Sequence, residues 1–208
     1  MAKHVLRLSR RGVAAIADGH PWVFREGPER FEPGTPVRLD GPDGKRVAWG
    51  LADDGTVAVR VLGRGDMEDI PRLLVERIAR ADRARTMLVP PDTDAYRLVH
   101  GAGDGLPGLV VDRYDALCVV KVYSAAWLPW LDDLVAALLR LGWVGDVYRR
   151  FGVNRVDGRE GGEVLHGAEP QEAMVVREEG MRLLVRPLVG QKTGLFLDQR
   201  AHRSLVRR

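Results

Sequence analysis

YRLVHGAGDGLPGLVVDRYDALCVVKVYS, residues 96–124, decides how the chain folds. Its apolar runs YRLVH (96–100), GLVVDRY (108–114) and LCVVKVYS (117–124) have strand length and are rich in β-branched and aromatic residues. The tight Asp115-Ala116 link joins the last two as a hairpin. The glycine-rich GAGDGLPG (101–108) reads as a turn and not as a phosphate cradle, because Pro107 and a strand follow it where a helix would have to begin.

Helical patterns flank this stretch. Ile70–Leu88 brings Leu74, Ile78, Ala81 and Arg85 near one face, with Pro71 in the first turn where its missing N–H does no harm. A second helix, Leu128–Leu141, carries Leu131, Leu134, Val135, Leu138 and Leu139 and stops at Gly142. Strands follow at 146–150, 172–179 and 181–187, and the charged loop 154–162, with three glycines, reads as mobile. Strand, strand, helix, strand, strand predicts a helix packed on an antiparallel or mixed sheet, an α+β fold.

Upstream, HVLRLS (4–9), TPVRLD (35–40), KRVAWGL (45–51) and TVAVRVL (56–62) partly alternate apolar and polar residues between turn-forming Gly, Pro and Asp clusters. Short strands at this spacing predict a small β-barrel. Between the first two lies RRGVAAIADGHPWVFREG, a helical turn that ends at Gly19 and runs into His20, Pro21 and Trp22. The expected organisation is a barrel over 1–68, a central domain over 69–188 and a C-terminal segment over 189–208.

The chain has 208 residues, 45% of them hydrophobic, enough for a sizeable core. It has no run of eighteen apolar residues and no signal-like N-terminus, which points to a soluble cytoplasmic protein without membrane partners. The single Cys118 lies among apolar neighbours and reads as core packing. No cysteine cluster can hold zinc, and the five histidines show no HxxxH or HxH spacing, so no metal is expected. The net charge is +3, but residues 1–11 contribute +4 through Lys3, Arg7, Arg10 and Arg11, and residues 187–208 another +4. Two basic ends make a phosphate-binding surface if the fold joins them. Of 32 basic residues only four are lysine, a bias that a G+C-rich genome explains, with bidentate phosphate recognition as the other reading.

The phrases RRG…GHPWVF, YRLVHGAGDGLPGLVVDRY and GMRLLVRPLVGQKTGLFLDQRAHR (180–203), in this order and spacing, resemble the bacterial PUA-carrying 23S ribosomal RNA cytosine-5 methyltransferases. The resemblance spans the chain. It implies an N-terminal PUA-like RNA-binding barrel, a central β-β-α-β-β domain, and residues 189–208 as a stub leading to a Rossmann-like methyltransferase domain. Such a domain needs a strand, a glycine-rich turn and an acidic residue after the next strand. No such unit follows in this sequence, so the expectation is an RNA-recognition portion that lacks most of the catalytic domain and cannot methylate by itself.

Cytosine C5 methylation requires a nucleophile at C6, usually a cysteine thiolate. Cys118 between Leu117 and two valines is a poor one, so no catalytic residue is assigned. For S-adenosyl-L-methionine the resemblance implies Thr193, Gly194, Phe196, Asp198, Gln199 and Arg200 at the pocket edge, with weak or absent binding in this chain. Taken by themselves, these residues read as a helix start capped by Asp198 with Phe196 in the core. For 23S ribosomal RNA it implies Arg7, Arg10, Arg11, His20 and Arg25, phosphate contacts being the main currency of structured RNA recognition. For Trp22 and Phe24 a place in the core stands beside the RNA reading, and for Trp22 the core is preferred. Two other readings stand beside this one: a free-standing PUA-type RNA-binding protein, and a module that forms a homodimer through its central domain.

Overall fold

The computed structural model describes residues 4–207, with only the backbone described at 154 and 155; Lys3 of the basic N-terminus lies outside the described residues. A first sheet holds β1 (Val5–Arg7), β2 (Trp22–Phe24), β3 (Pro36–Asp40), β4 (Arg46–Ala52) and β5 (Val57–Gly63), in the order β1-β3-β4-β5-β2. β1 runs parallel to β3, and the other neighbours are antiparallel. Alternation along β3 turns Val37 and Leu39 inward, where they meet Ala48, Val59 and Ile16 in one apolar cluster. Helix α1 (Arg10–Ala17) supplies Ile16 and starts at Ser9, whose hydroxyl accepts the Gly12 N–H at 3.2 Å. Strand β2 escapes a sequence reading because three residues after Pro21 show no period; its pairing with β5 creates it. Gly50 sits at a bulge between β4 and β5, where a Cβ would lie 1.9 Å from the Arg60 carbonyl oxygen.

Helix α2 (Ile70–Leu88) follows, its N-terminus capped by Asp69. Then come β6 (Ala95–His100), β7 (Leu109–Tyr114), β8 (Leu117–Val122), α3 (Leu131–Leu139), β9 (Asp146–Arg150), the short α4 (Asn154–Asp157) and β10 (Gly162–His166). These strands form a second sheet in the order β10-β9-β8-β7-β6. Only β8 and β9 are parallel, and their crossover runs through a 3₁₀ turn, Ala125–Trp130, into α3. Pro129 inside that turn delays the α-helix to Leu131, three residues later than the apolar stripe suggests. Three strands precede the crossover and two follow it, one strand more than the expected β-β-α-β-β. The stretch expected as a mobile loop contains α4 and leads into β10. The run GEVLH is too short and too mixed to announce an edge strand, and pairing with β9 selects it.

The last hairpin, β11 (Met174–Glu178) with β12 (Met181–Val185), forms its own two-stranded sheet. It covers one face of the second sheet, packing Val176 and Val185 against Tyr114, Val119 and Tyr148. A 3₁₀ turn at Leu197–Gln199 leads into α5 (Arg200–Arg207). The opposite face of the second sheet packs on α2 and α3 in the largest apolar cluster, which also takes in Trp49, Leu51 and Leu62 from the first sheet. The two sheets therefore share one core. Trp130 reinforces the junction by donating its indole N–H to the Gly34 carbonyl at 3.0 Å.

Candidate nucleic-acid interface and C-terminal cleft

Two clefts meet at Phe24, which is 56% exposed at the end of β2. One, of about 240 Å³, is lined by Arg7, Phe24 and Arg25; the other, of about 340 Å³, by Arg11, His20, Trp22 and Phe24. The His20 ring lies edge-on to Trp22 with centroids 4.9 Å apart and 5.9 Å from Phe24. Its Nδ1–H donates to the Trp22 carbonyl at 2.9 Å, which leaves Nε2 of the neutral ring to accept a further bond. Arg7, Arg10 and Arg11 are exposed, and none forms an ion pair among the described residues. Phe24 is thus an exposed ring between two clefts whose walls carry Arg7 and Arg11 alongside Glu26 and Glu29, and it is not a core anchor. Trp22 is half-buried, with the Arg60 guanidinium 5.5 Å from its ring centroid.

Arg25 departs from expectation. Its Nε donates to the Gly55 carbonyl at 2.8 Å, Nη1 to Glu29 at 2.9 Å, and Nη2 to Asp53 at 3.0 Å and Val57 at 3.4 Å. A guanidinium whose donors are taken up by main-chain carbonyls ties β2 to the loop before β5 and has little left for a phosphate.

At the C-terminal end, residues 191–200 divide into an anchor and an edge. Thr193 is buried: its hydroxyl donates to Asp112 Oδ2 at 2.6 Å and lies 2.9 Å from the Tyr114 hydroxyl. Asp112 is fully buried on β7, and Arg97 meets both its oxygens, at 2.8 and 3.2 Å. Gly194, at φ +132°, packs so closely on β12 that a Cβ would lie 2.7 Å from Val185 Cγ1. Thr193 and Gly194, expected at the cofactor edge, fasten the segment to the second sheet, because a buried carboxylate needs the hydroxyl and the turn needs glycine. Asp198 and Arg200 line an open cleft of about 610 Å³ with Lys192, Arg97, Tyr96 and Tyr123. Phe196 is 39% exposed, with the Lys192 ammonium 5.9 Å from its ring centroid. Gln199 Oε1 pairs with His202 Nδ1 at 2.5 Å, outside that cleft.

Residues 6–64 match the family model of a PUA-like domain. This supports the resemblance read from RRG…GHPWVF. Along the whole chain the similarity runs to ribosomal RNA large subunit methyltransferases. A relative from Deinococcus radiodurans is 37% identical over 97% of this chain and 53% of its own length. The ribosomal RNA large subunit methyltransferase I of Aliivibrio fischeri strain MJ11 is 34% identical over 91% of this chain and 50% of its own. The chain spans about half the length of the curated relatives it matches. In three dimensions it superimposes on a protein from Streptococcus mutans assigned as a SAM-dependent methyltransferase, with a TM-score of 0.83 and 19% identity over 98% of this chain and 54% of that one. The crystal structure of SMU.776, assigned as a methyltransferase and complexed with SAH, gives a TM-score of 0.82 at 19% identity over 96% of this chain and 52% of that one. These two likenesses concern the fold.

In the PUA-like module the structure brings Arg7, Arg11 and His20 to the walls around Phe24; Arg10 stands on α1 beside them and Arg25 is withdrawn. Asp112, Glu178 and Arg203 escaped the sequence reading. Glu178 is fully buried, and Arg203 Nε and Nη2 bind its two oxygens at 2.7 and 2.6 Å while Nη1 donates to the Phe196 carbonyl at 2.8 Å. Arg203 thereby fixes the turn that carries Phe196 and Asp198. An acidic residue in a strand such as MVVRE, followed by a basic C-terminal helix, was the available signal. Cys118 is fully buried, and burial pushes its thiol up to about 12, the opposite of what a nucleophile needs. Among the described residues no three His, Cys, Asp or Glu side chains form a metal-binding group, and no helix is long and apolar enough to cross a membrane.

Proposed function

We propose that this chain is the RNA-recognition portion of an S-adenosylmethionine-dependent methyltransferase that acts on cytosine C5 of 23S ribosomal RNA. The observation that carries the reading is the convergence of Arg7, Arg11 and His20 around the exposed ring of Phe24, on a module matching the PUA-like domain. Arginines neutralise phosphates and release counterions, while an exposed ring offers a base a stacking surface. S-adenosylmethionine supplies the methyl group when bound. Phe196 offers it an aromatic surface, Asp198 and Arg200 a hydrogen-bond acceptor and a cation on the cleft wall. Thr193, Gly194 and Arg203 hold that edge in place from behind. The nucleophile for C6 belongs to no residue of this chain, since Cys118 is a core thiol.

The test is a paired titration of the chain with a 23S ribosomal RNA fragment and with S-adenosylmethionine, at two salt concentrations. Salt-sensitive RNA binding with little cofactor affinity is expected. Changing Arg7, Arg10 and Arg11 together to alanine should reduce the slope of log K against log salt by about 2, at roughly 0.7–0.9 per lost phosphate contact. An unchanged slope would remove the N-terminal arginines from the interface. Tight cofactor binding would instead mean that the pocket is completed by these residues alone or between copies.

A further inference from the structure

The face of the second sheet that carries β11 and β12 also carries three cations that the RNA reading above does not use. In the parallel pair, Val119 lies beside Tyr148 and Val120 beside Arg149, so one further step sets Lys121 next to Arg150 on the same face. Lys192 joins them from the C-terminal segment, in a left-handed backbone conformation at φ +60° that ordinarily favours glycine. Among the described residues none of the three forms an ion pair. The carboxylate that acts on Lys121 is Asp157, and both its oxygens are taken, one by Arg149 at 2.7 Å and the other by the Val153 N–H at 2.9 Å. Among the described residues the Arg150 guanidinium has one hydrogen-bond partner, the Pro187 carbonyl at 3.1 Å.

Like charges on neighbouring strands repel, and folding gains nothing by gathering them. Burial, then Arg150 and then Lys192, lowers the Lys121 pKa, so these charges sense one another. Two of the four lysines of the chain converge here, although arginine is its usual cation. The surroundings suit a polyanion with flat groups. Lys192 lines the 610 Å³ cleft together with Tyr123, which is 46% exposed. Tyr123 also lines a second cleft, shared with Asp53 and Arg60 of the PUA-like module. Tyr123 is therefore the residue shared by a cleft beside that module and the cleft that Lys192 lines.

Building on the RNA reading, we propose that Lys121, Arg150 and Lys192 bind the phosphates of a single-stranded RNA segment that leaves the structured element held by the PUA-like module. Tyr123 stacks a base along the way, as aromatic side chains do in single-strand grooves. The second sheet is then a track for RNA and not only a spacer.

The experiment compares two fluorescein-labelled RNA hairpins by anisotropy, one blunt and one carrying a single-stranded tail, against the whole chain and two double variants. Lys121→Ala with Lys192→Ala should weaken binding of the tailed RNA about tenfold and lower its salt slope by about 1.4, at 0.7 per single-strand phosphate. Binding of the blunt hairpin should be unchanged. Lys121→Arg with Lys192→Arg, which keeps both charges, should restore tail binding and so separates lost charge from lost folding. If the wild-type chain prefers the tailed RNA but the alanine variant binds it equally well, the track is overturned while RNA recognition by the PUA-like module stands. If the wild-type chain binds neither RNA, the functional reading falls and the track with it.

Discussion

Asp112 shows how one buried charge can organise a site. Its oxygens are met by Arg97 and by the Thr193 hydroxyl, which in turn pairs with Tyr114. Thr193→Val keeps the shape but leaves a carboxylate oxygen and a phenol short of partners. It should cost about 2 kcal/mol and lower Tm by roughly 6 °C, readable by calorimetry. An unchanged Tm would mean that Thr193 is free to serve a ligand. Cys118 makes a second residue-scale prediction. Its thiol rises from an ordinary 9.0 to about 12 through burial, and the Tyr114 phenol from 10.0 to about 12, again chiefly through burial. The unfolded chain releases these protons first, so stability is full below pH 9 and falls as pH rises toward 12, by about 1.4 kcal/mol per pH unit for each group in its window. Urea midpoints measured across that range should fall, and Cys118→Ala should remove the part that begins near 9. Sequence made Cys118 legible because its flanking valines announce a core strand. It did not reveal the partners of Thr193 and Arg25, since each bonds to residues far away along the chain.

Among the elements, long periodic ones declared themselves and short ones did not. The helix from Ile70 to about Leu88 was legible, because apolar spacing, a proline in the first turn and a following Pro-Pro all agree. Strands β2 and β10 exist through pairing with β5 and β9, and three or five residues carry no period of their own. The β11–β12 hairpin was legible as two strands, but its place over the second sheet was not. What holds α5 against it is side-chain chemistry: Arg203 grips the buried Glu178, Ser204 donates to Glu179 at 2.9 Å, and Arg207 reaches the Glu179 carbonyl. Glu178→Gln should loosen this clasp by about 3 kcal/mol, as expected for halving a buried pair. Hydrogen exchange should then show residues 196–207 losing protection while the second sheet keeps its own. Equal protection in both proteins would contradict the clasp.

At the scale of the whole molecule, the largest apolar cluster spans the boundary that the change from strand to helix pattern suggests near residue 68. Trp49, Leu51 and Leu62 lie in it beside Leu74, Leu98 and Val120. Sequence could not display this, because both sides of the junction look like ordinary core. Heating should therefore give one transition, with calorimetric and van't Hoff enthalpies in agreement. Two resolved transitions would show that the sheets fold apart. Residues 1–68 produced alone should expose Trp49 and melt well below the whole chain. A shared core also means that the span between the ring of Phe24 and the wall at Asp198 is set when the chain folds, without a hinge to adjust it. On the proposed RNA reading the molecule is a caliper: one jaw is the ring of Phe24, the other the cleft that Lys192 and Asp198 line, and its opening is set by folding.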